Sequence, residues 1–383
     1  MTPPIRVLQL LVTTSVGGGP KQVYDLVRHL PKEEFQIAIA APRDGLFFER
    51  FQELGVRMLE LPVRRLGVRH LLSTIRLIRM LGIQVVHTHG KGPGLYGRLA
   101  AWWTGVPAVH TFHGIHYRDY PKLGQALYLA MERALSRLTR TIINVSGSQE
   151  AEGLGLRLFR SSQSTVVING IDLDEVGRII ADSPIRRESL GLTPDDLVLG
   201  CVTRFDPIKR VETLLEAVRL LLPGIPRLTL LLVGGGGEEE RIRRLVAEMG
   251  LGRRVIFTGF LENSVRVFPV LDLYVATSLK EGLPLSLVEA MGAGLAVVAT
   301  DVPGHRDVMI HGETGLFVPP EDPAALADAI SSLLTDRERR RQMGEAGRHR
   351  ALKEFSMQPM VEGTAEVYRR AAMGLGKKAH SRL

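Results

Sequence analysis

Two α/β halves, each a parallel sheet covered by helices, are what this 383-residue sequence predicts. Three observations carry the expectation. Short apolar runs alternate with longer amphipathic ones along the chain, the pattern of repeated βα units. Runs such as Ile5–Val12 are apolar at nearly every position, which suits strands buried on both faces. A polar stretch from Asp182 to Asp196, carrying Pro184 and Pro194, separates two strand-rich segments.

In the first half the strands are expected at Ile5–Val12, Phe35–Ala40, Gln84–Thr88, Ala108–Phe112, Thr141–Val145 and Thr165–Ile168, with helices such as Val23–Leu30, Leu71–Leu81 and Leu123–Leu138 between them. In the second half they are Leu197–Thr203, Leu228–Val233, Val255–Thr258, Leu273–Ala276 and Ala296–Thr300, with helices Val211–Leu222, Glu238–Met249, Ser286–Ala293 and Ala324–Leu334. The expected division is residues 1–181, 182–355, a last helix Met357–Ala372 within 356–374, and a polar tail 375–383 expected to be disordered. Sheets of this kind bind ligands at the carboxyl ends of their strands, so a cleft between the halves is the expected site.

Composition narrows the class. Hydrophobic residues make up 45% and charged residues 23%, as in soluble globular proteins. The one cysteine, Cys201, sits in an apolar run and cannot build an internal disulfide framework. Neither a signal peptide nor a transmembrane run of roughly 18 apolar residues is evident, so the cytoplasm is the expected compartment. The formal charge of +8 fits nucleic acid, an anionic membrane surface or a phosphorylated substrate. Only 5% of residues are aromatic and none alternate with arginine runs, which argues against nucleic acid.

The most informative segment runs from Ser278 through Glu281-Gly282-Leu283-Pro284-Leu285 to Glu289 and Gly294. Pro284 suits the first turn of a helix. Glu281 then precedes that helix and Glu289 lies inside it, with free N–H groups near Leu283, Leu285 and Ser286 forming an anion site. A carboxylate on each side suits sugar or ribose diols; the alternative is that both glutamates face solvent. The segment Thr203-Arg204-Phe205-Asp206-Pro207-Ile208-Lys209-Arg210 follows a strand and precedes a helix. Its basic pair fits a diphosphate, the alternative being a surface loop with incidental charges.

Val16-Gly17-Gly18-Gly19-Pro20 lets backbone approach a phosphate or sugar closely. It misses the dinucleotide fingerprint because Gln22 stands at the third glycine, and Gly234–Gly237 misses it through Glu239. Four histidines, His87, His89, His113 and His116, leave three readings open: a metal site, a structural polar role, or substrate contact chiefly through His113. The basic run from Arg337 reads as a solvated helix face. The helix Tyr120–Arg140 sets Leu127, Met131, Leu135 and Leu138 on one stripe, facing either the core or a membrane near a lipid acceptor.

Taken in this order, the segments resemble family 4 of the retaining glycosyltransferases, which have the GT-B fold of two Rossmann-like domains. The resemblance spans Ile5 to about Tyr368 and is most specific at Glu281 and Glu289 (Glu-x7-Glu) and at Arg204 and Lys209 (Arg-x4-Lys). Val166–Asp172, Thr300–Gly304 and Gly312–Val318 match further segments. Ile168, Leu283, Ala296 and Asp307 depart from the family's usual proline, aromatic or threonine, proline and glutamate. The resemblance implies that Glu289 binds ribose and that Arg204 and Lys209 bind the diphosphate. Glu281, with the backbone of Gly282, Leu283, Pro284 and Leu285, would hold the donor sugar. Gly18 and Gly19 would approach the phosphates, His113 would lie near donor sugar and acceptor, and Gly259, Phe260 and Leu261 would hold the base. The last helix would cross back to the first domain.

The implied activity is retaining transfer of a hexose or N-acetylhexosamine from a nucleotide diphosphate sugar, UDP-linked before GDP-mannose, to a hydroxyl on a glycan or lipid-linked acceptor. Bacterial polysaccharide, lipopolysaccharide or glycolipid synthesis is the expected setting, with peripheral contact at the inner face of the plasma membrane. Arg204, Lys209, Glu281 and His113 would carry the chemistry, with no metal and no cofactor. The rivals are a nucleotide-sugar epimerase or a phosphorylase of the same fold, and a non-catalytic sugar-binding protein.

Overall fold

The computed structural model describes residues 3–61, 67–115, 117 and 120–376. The chain divides into two compact units, Met1–Gly170 with Met357–Leu383, and Ile171–Ser356. His116 and the end of the tail from 377 lie outside the described residues.

In the first unit, β1 (Ile5–Leu10), β2 (Phe35–Ala41), β3 (Arg57–Glu60), β4 (Val85–His89), β5 (Ala108–Phe112), β6 (Thr141–Asn144) and β7 (Ser164–Val166) form one parallel sheet. Its order is β3-β2-β1-β4-β5-β6-β7. The second unit holds β8 (Leu197–Val202), β9 (Leu228–Val233), β10 (Val255–Gly259), β11 (Leu273–Ala276), β12 (Val297–Thr300) and β13 (Gly315–Val318), in the order β10-β9-β8-β11-β12-β13 and again parallel. Each order reverses once, between β1 and β4 and between β8 and β11. At such a switch point the connections leave in opposite directions, and the carboxyl-end loops are left open for ligands.

Burial on both faces explains the strand sequences. In β9, Leu230 and Leu232 enter one core while Leu231 and Val233 enter the core on the opposite face, as the two-residue period requires. Cys201 lies in the first of these cores, and burial pushes its thiol up to about 12.

The division falls after Gly170, where the polar stretch suggested 181. The reason is the helix Leu173–Asp182, whose Leu173, Ile179 and Ile180 pack on the second unit's core. The last helix, Met357–Gly376, lays Met360, Val367, Tyr368 and Ala371 against Val7, Val85 and Val109 of the first unit. Two strands escaped the periodicity reading. β3 is half-exposed and has charged residues at both ends, and β13 offers four residues without an apolar run before it.

The stripe expected along Tyr120–Arg140 faces the core at Leu135 and, in part, at Met131, and is corrected at Leu127. The helix spans Lys122–Ser136 and buries Tyr128, Glu132, Leu135 and Ser136, while Leu123 and Leu127 are 85% and 71% exposed. Glu132 turns inward because it forms a buried ion pair, Arg98 Nη2 to Glu132 Oε2 at 2.7 Å. Both side chains are essentially inaccessible, and Arg98 Nε also donates to Gly94 O at 2.6 Å. Removing one partner leaves an uncompensated buried charge. Glu132→Ala is therefore expected to lower the unfolding free energy by about 3–5 kcal/mol in urea titrations. The double variant Arg98→Met with Glu132→Leu should recover most of that loss, and a single-variant loss below about 1 kcal/mol would contradict the assignment.

Candidate active site

In the second unit the loops after β8, β11 and β12 meet because these strands are neighbours. Leu279 N donates to Ile208 O at 2.8 Å and Thr277 Oγ1 to Lys209 O at 2.8 Å, joining the first two loops. Thr300 Oγ1 donates to Ser278 O at 2.5 Å, bringing in the third. At the centre Lys209 Nζ donates to Glu281 Oε1 at 2.6 Å, and Ser278 Oγ donates to the same oxygen at 2.6 Å. Both charged side chains are largely buried.

The turn that presents Lys209 is strained. Pro207–Lys209 form a short 3-10 turn, and Arg210, which caps the helix Val211–Leu221, sits at φ 47, in the left-handed region. Its guanidinium holds this geometry by reaching Glu212 at 3.1 Å and Glu321. A non-glycine residue there costs about 1–2 kcal/mol, and such strain clusters at functional sites. Two glycines are required by close approach. A Cβ on Gly234, at φ 129, would meet Thr203 O at 2.0 Å, and one on Gly304 would meet Glu281 O at 2.6 Å. Gly234 therefore serves the packing of the loop after β8.

The helix expected near Ser286 spans Leu285–Gly292, with Pro284 as its cap residue instead of in its first turn. The first intrahelical bonds run from Leu287 and Val288 to Pro284 O, so the N–H groups of Leu285 and Ser286 lie ahead of the ladder. Ser286 Oγ donates to Val202 O at 3.1 Å, and the Tyr274 hydroxyl lies 2.9 Å from Ser286 Oγ. The helix start is thus tied to the end of β8. Glu289 lies within the helix. Arg204 is 64% exposed and pairs with Asp206, so the Arg204–Lys209 pair is split between an exposed and a buried cation. Gly259 ends β10 at φ 69 with Phe260 exposed and Leu261 half-buried beyond it.

Sequence reasoning passed over His305. It is fully buried, and its Nδ1 donates to Thr300 O at 2.7 Å. That bond leaves Nε2 as the lone-pair nitrogen of a neutral ring, and Nε2 has no partner. Burial holds the imidazole below its usual range, against the pull of Glu281. The segment Thr300–Gly304 marked this loop, but a single buried histidine carries no spacing signal.

In the first unit, Gly18 and Gly19 open the helix Gly18–His29 after β1. A Cβ on Gly19 would lie 3.8 Å from the His113 ring. His113 Nε2 lies 2.9 Å from His89 Nδ1, with the two rings stacked. Gly18, Gly19 and His113 are therefore gathered at the β1/β4 switch. His87 and His89 are buried in hydrogen bonds with neighbouring side chains. Among the described residues no three His, Cys, Asp or Glu side chains gather as a metal site.

The ionisation of Glu281 sets a pH dependence. Burial would raise its pKa, but attraction to Lys209, helped by His305 and hydrogen bonds from Lys209 and Ser278, holds it below the ordinary 4.5. A depressed carboxylate contributes stability that is present above the unfolded value and lost as pH falls through the folded one. Lys209→Met should therefore cost about 2 kcal/mol at pH 7. The deficit should shrink as the pH is taken below 4.5. Urea titrations at both ends of this range test it, and a deficit independent of pH would contradict the pairing.

Two units of this topology, each with its loops gathered at a switch point, define a GT-B protein. The family description "Glycosyl transferases group 1" matches residues 182–350, and "Glycosyltransferase Family 4" matches residues 16–175. EpsD of Bacillus subtilis (strain 168), named as a glycosyltransferase, is 32% identical over 292 residues, covering 74% of this chain and 76% of its own. The UDP-Gal:alpha-D-GlcNAc-diphosphoundecaprenol alpha-1,3-galactosyltransferase of Escherichia coli is 24% identical over 319 residues, covering 80% and 82%. Among solved structures, Anabaena HepE in complex with UDP-glucose superposes with a TM-score of 0.83 at 19% identity, covering 96% of this chain and all of that one. The chain belongs to family 4 of the glycosyltransferases, group 1, and has the GT-B fold.

Proposed function

We propose that the protein transfers a hexose or N-acetylhexosamine, with retention of anomeric configuration, from a nucleotide diphosphate sugar to a hydroxyl acceptor in polysaccharide or glycolipid synthesis. The observation that carries the reading is the Lys209–Glu281 pair beside the start of the helix Leu285–Gly292. Lys209 has three N–H donors, so a bond to Glu281 leaves others for a phosphate. Arg204, Lys209 and the N–H groups of Leu285 and Ser286 would stabilise the charge that develops on the departing diphosphate. Those groups serve in place of a divalent metal, so activity is expected to survive chelation. Glu281 would accept hydrogen bonds from sugar hydroxyls and Glu289 from the ribose, while the backbone of Gly259–Leu261 holds the base. His113 would contact the transferred sugar, with Gly18 and Gly19 near the phosphates. A UDP-linked donor is favoured over GDP-mannose: the galactosyltransferase relative names a UDP donor, and the HepE complex contains UDP-glucose.

A thermal-shift panel of UDP, GDP, ADP and their sugars tests the donor. At 100 times its Kd a ligand stabilises by about 2.7 kcal/mol, a visible shift. The shift should appear with UDP and vanish in Arg204→Ala and Glu289→Ala. Arg204→Ala should also lower kcat/KM at least about tenfold. No shift with any nucleotide in a folded protein would sink the reading. Loss of donor without acceptor, giving an isomerised nucleotide sugar, would favour the epimerase.

A lipid-linked acceptor reached by peripheral membrane contact is supported by exposed helix residues of the first unit. No helix among the described residues is long and apolar enough to cross a membrane. The helices Val68–Met80, Lys91–Thr104 and Lys122–Ser136 expose Val68, Leu72, Trp102, Trp103, Leu123 and Leu127, and also Arg76, Arg79 and Lys122. Exposed apolar side chains together with basic ones suit an anionic interface. The protein should float with anionic liposomes, and Leu123→Glu with Leu127→Glu should reduce the bound fraction. Absence of flotation in the unaltered protein would remove this part.

A further inference from the structure

The register of β8 against β11 runs from Leu199 with Leu273 to Gly200 with Tyr274 and ends there. Beyond it β11 stays beside β12 as far as Ala276 with Ala299, while β8 runs on to Val202. Thr203 N donates to Val233 O on β9 at 2.9 Å. Across the planar trans peptide the Val202 carbonyl therefore points the other way, toward β11, where the pairing has already stopped. A carbonyl so placed needs a donor from elsewhere.

Two side chains supply it. Ser286 Oγ donates to Val202 O at 3.1 Å, and the Tyr274 hydroxyl lies 3.2 Å from the same oxygen. The two hydroxyls are 2.9 Å apart. Three contacts share two protons, because the carbonyl can only accept. The shorter links are used when Tyr274 donates to Ser286 and Ser286 donates to Val202. Tyr274 is buried within β11, so the sheet fixes where its hydroxyl lies. That hydroxyl holds Ser286 Oγ in the rotamer that reaches Val202. Loss of either hydroxyl strands no donor, since Val202 O is within reach of both. The fold therefore needs only one of them.

The helix start needs the pair. Ser286 is the second residue of the helix Leu285–Gly292, and its N–H and that of Leu285 lie ahead of the ladder. Val202 immediately precedes Thr203 and Arg204. The Ser286–Val202 bond thus joins the free N–H groups to the loop that carries Arg204. We propose that Ser286 is a positioning residue, its hydroxyl steered by Tyr274, that sets the N–H groups of Leu285 and Ser286 against the Arg204 loop and so fits both to the diphosphate of the donor. The proposal rests on the donor reading for its ligand; the link between strand and helix is independent of it.

The test compares the full-length protein with Ser286→Ala, Ser286→Thr and Tyr274→Phe in two ways: affinity for UDP and for uridine, and amide hydrogen exchange without ligand. In Ser286→Ala the affinity for UDP should fall at least about tenfold, as when one charge-assisted hydrogen bond is lost, with uridine changed less than about twofold. Exchange at Leu287 and Val288, whose N–H groups close the first turn on Pro284 O, should quicken. Alanine is the better helix former, so faster exchange reports the lost link and not a weaker helix. Ser286→Thr keeps a hydroxyl and should restore both readouts. Tyr274→Phe should give a smaller loss in the same direction, and adding it to Ser286→Ala should cost nothing more, because it acts through Ser286. Phe268→Leu loosens the packing on the Tyr274 ring, 6.2 Å away, but keeps both hydroxyls, so the ratio of UDP to uridine affinity should stay unchanged. Equal losses of UDP and uridine in Ser286→Ala, or an unchanged UDP affinity, would overturn the positioning role. Additive losses in the double variant would remove the part given to Tyr274. An unaltered protein that binds no UDP would count against the donor reading, whereas unchanged exchange in Ser286→Ala would overturn the link itself.

Discussion

The contact between Lys209 and Glu281 joins the loop after β8 to the loop after β11, and the polar end of the second unit is organised around it. Neither charge would be stable there alone, since each is largely removed from water. Paired, they fix the turn that ends in the strained Arg210 and the loop that runs into Pro284. The third loop, carrying Thr300 and His305, is fastened to the same place through Ser278. Such an arrangement holds polar groups at a helix start before any ligand arrives, which is what electrostatic stabilisation of a leaving group requires.

The first unit uses a different device at the corresponding position. Its switch point lies between β1 and β4, and the polar groups there include His87 and His89, both held below their usual range by burial, in a hydrogen-bonded chain with Gln9 and Tyr368. Neutral groups can be buried deeply where charges cannot, provided every donor finds an acceptor. The last helix supplies the hydroxyl that completes the accounting, because Tyr368 both accepts from Gln9 and donates to His87. The helix therefore returns to the first unit with more than apolar packing to offer.

Much of this was legible in the residues themselves. Strands buried on both faces announce themselves as apolar runs, so β1, β8 and β9 could be read closely, and Glu281, Pro284 and Glu289 marked a helix start by spacing alone. Elements set by tertiary contact could not be read. β3 is an edge strand whose Arg57 and Glu60 hide it, and Leu173–Asp182 looked like the approach to a linker until its apolar face met the second core. On the helix at Lys122 the buried Glu132 could not be foreseen, because it is intelligible only with Arg98 in view. His305 and the partners of His113 come together from positions far apart in the chain, and no local pattern records such meetings.

The central claim is that the diphosphate of a nucleotide sugar is held by Arg204, Lys209 and the start of the helix Leu285–Gly292. A crystal structure of the protein grown with UDP tests it most directly. The account predicts phosphate oxygens within hydrogen-bond distance of both cations and of the N–H groups of Leu285 or Ser286, with the ribose on Glu289. UDP bound elsewhere, or a diphosphate coordinated through a divalent metal with Arg204 and Lys209 turned away, would contradict it.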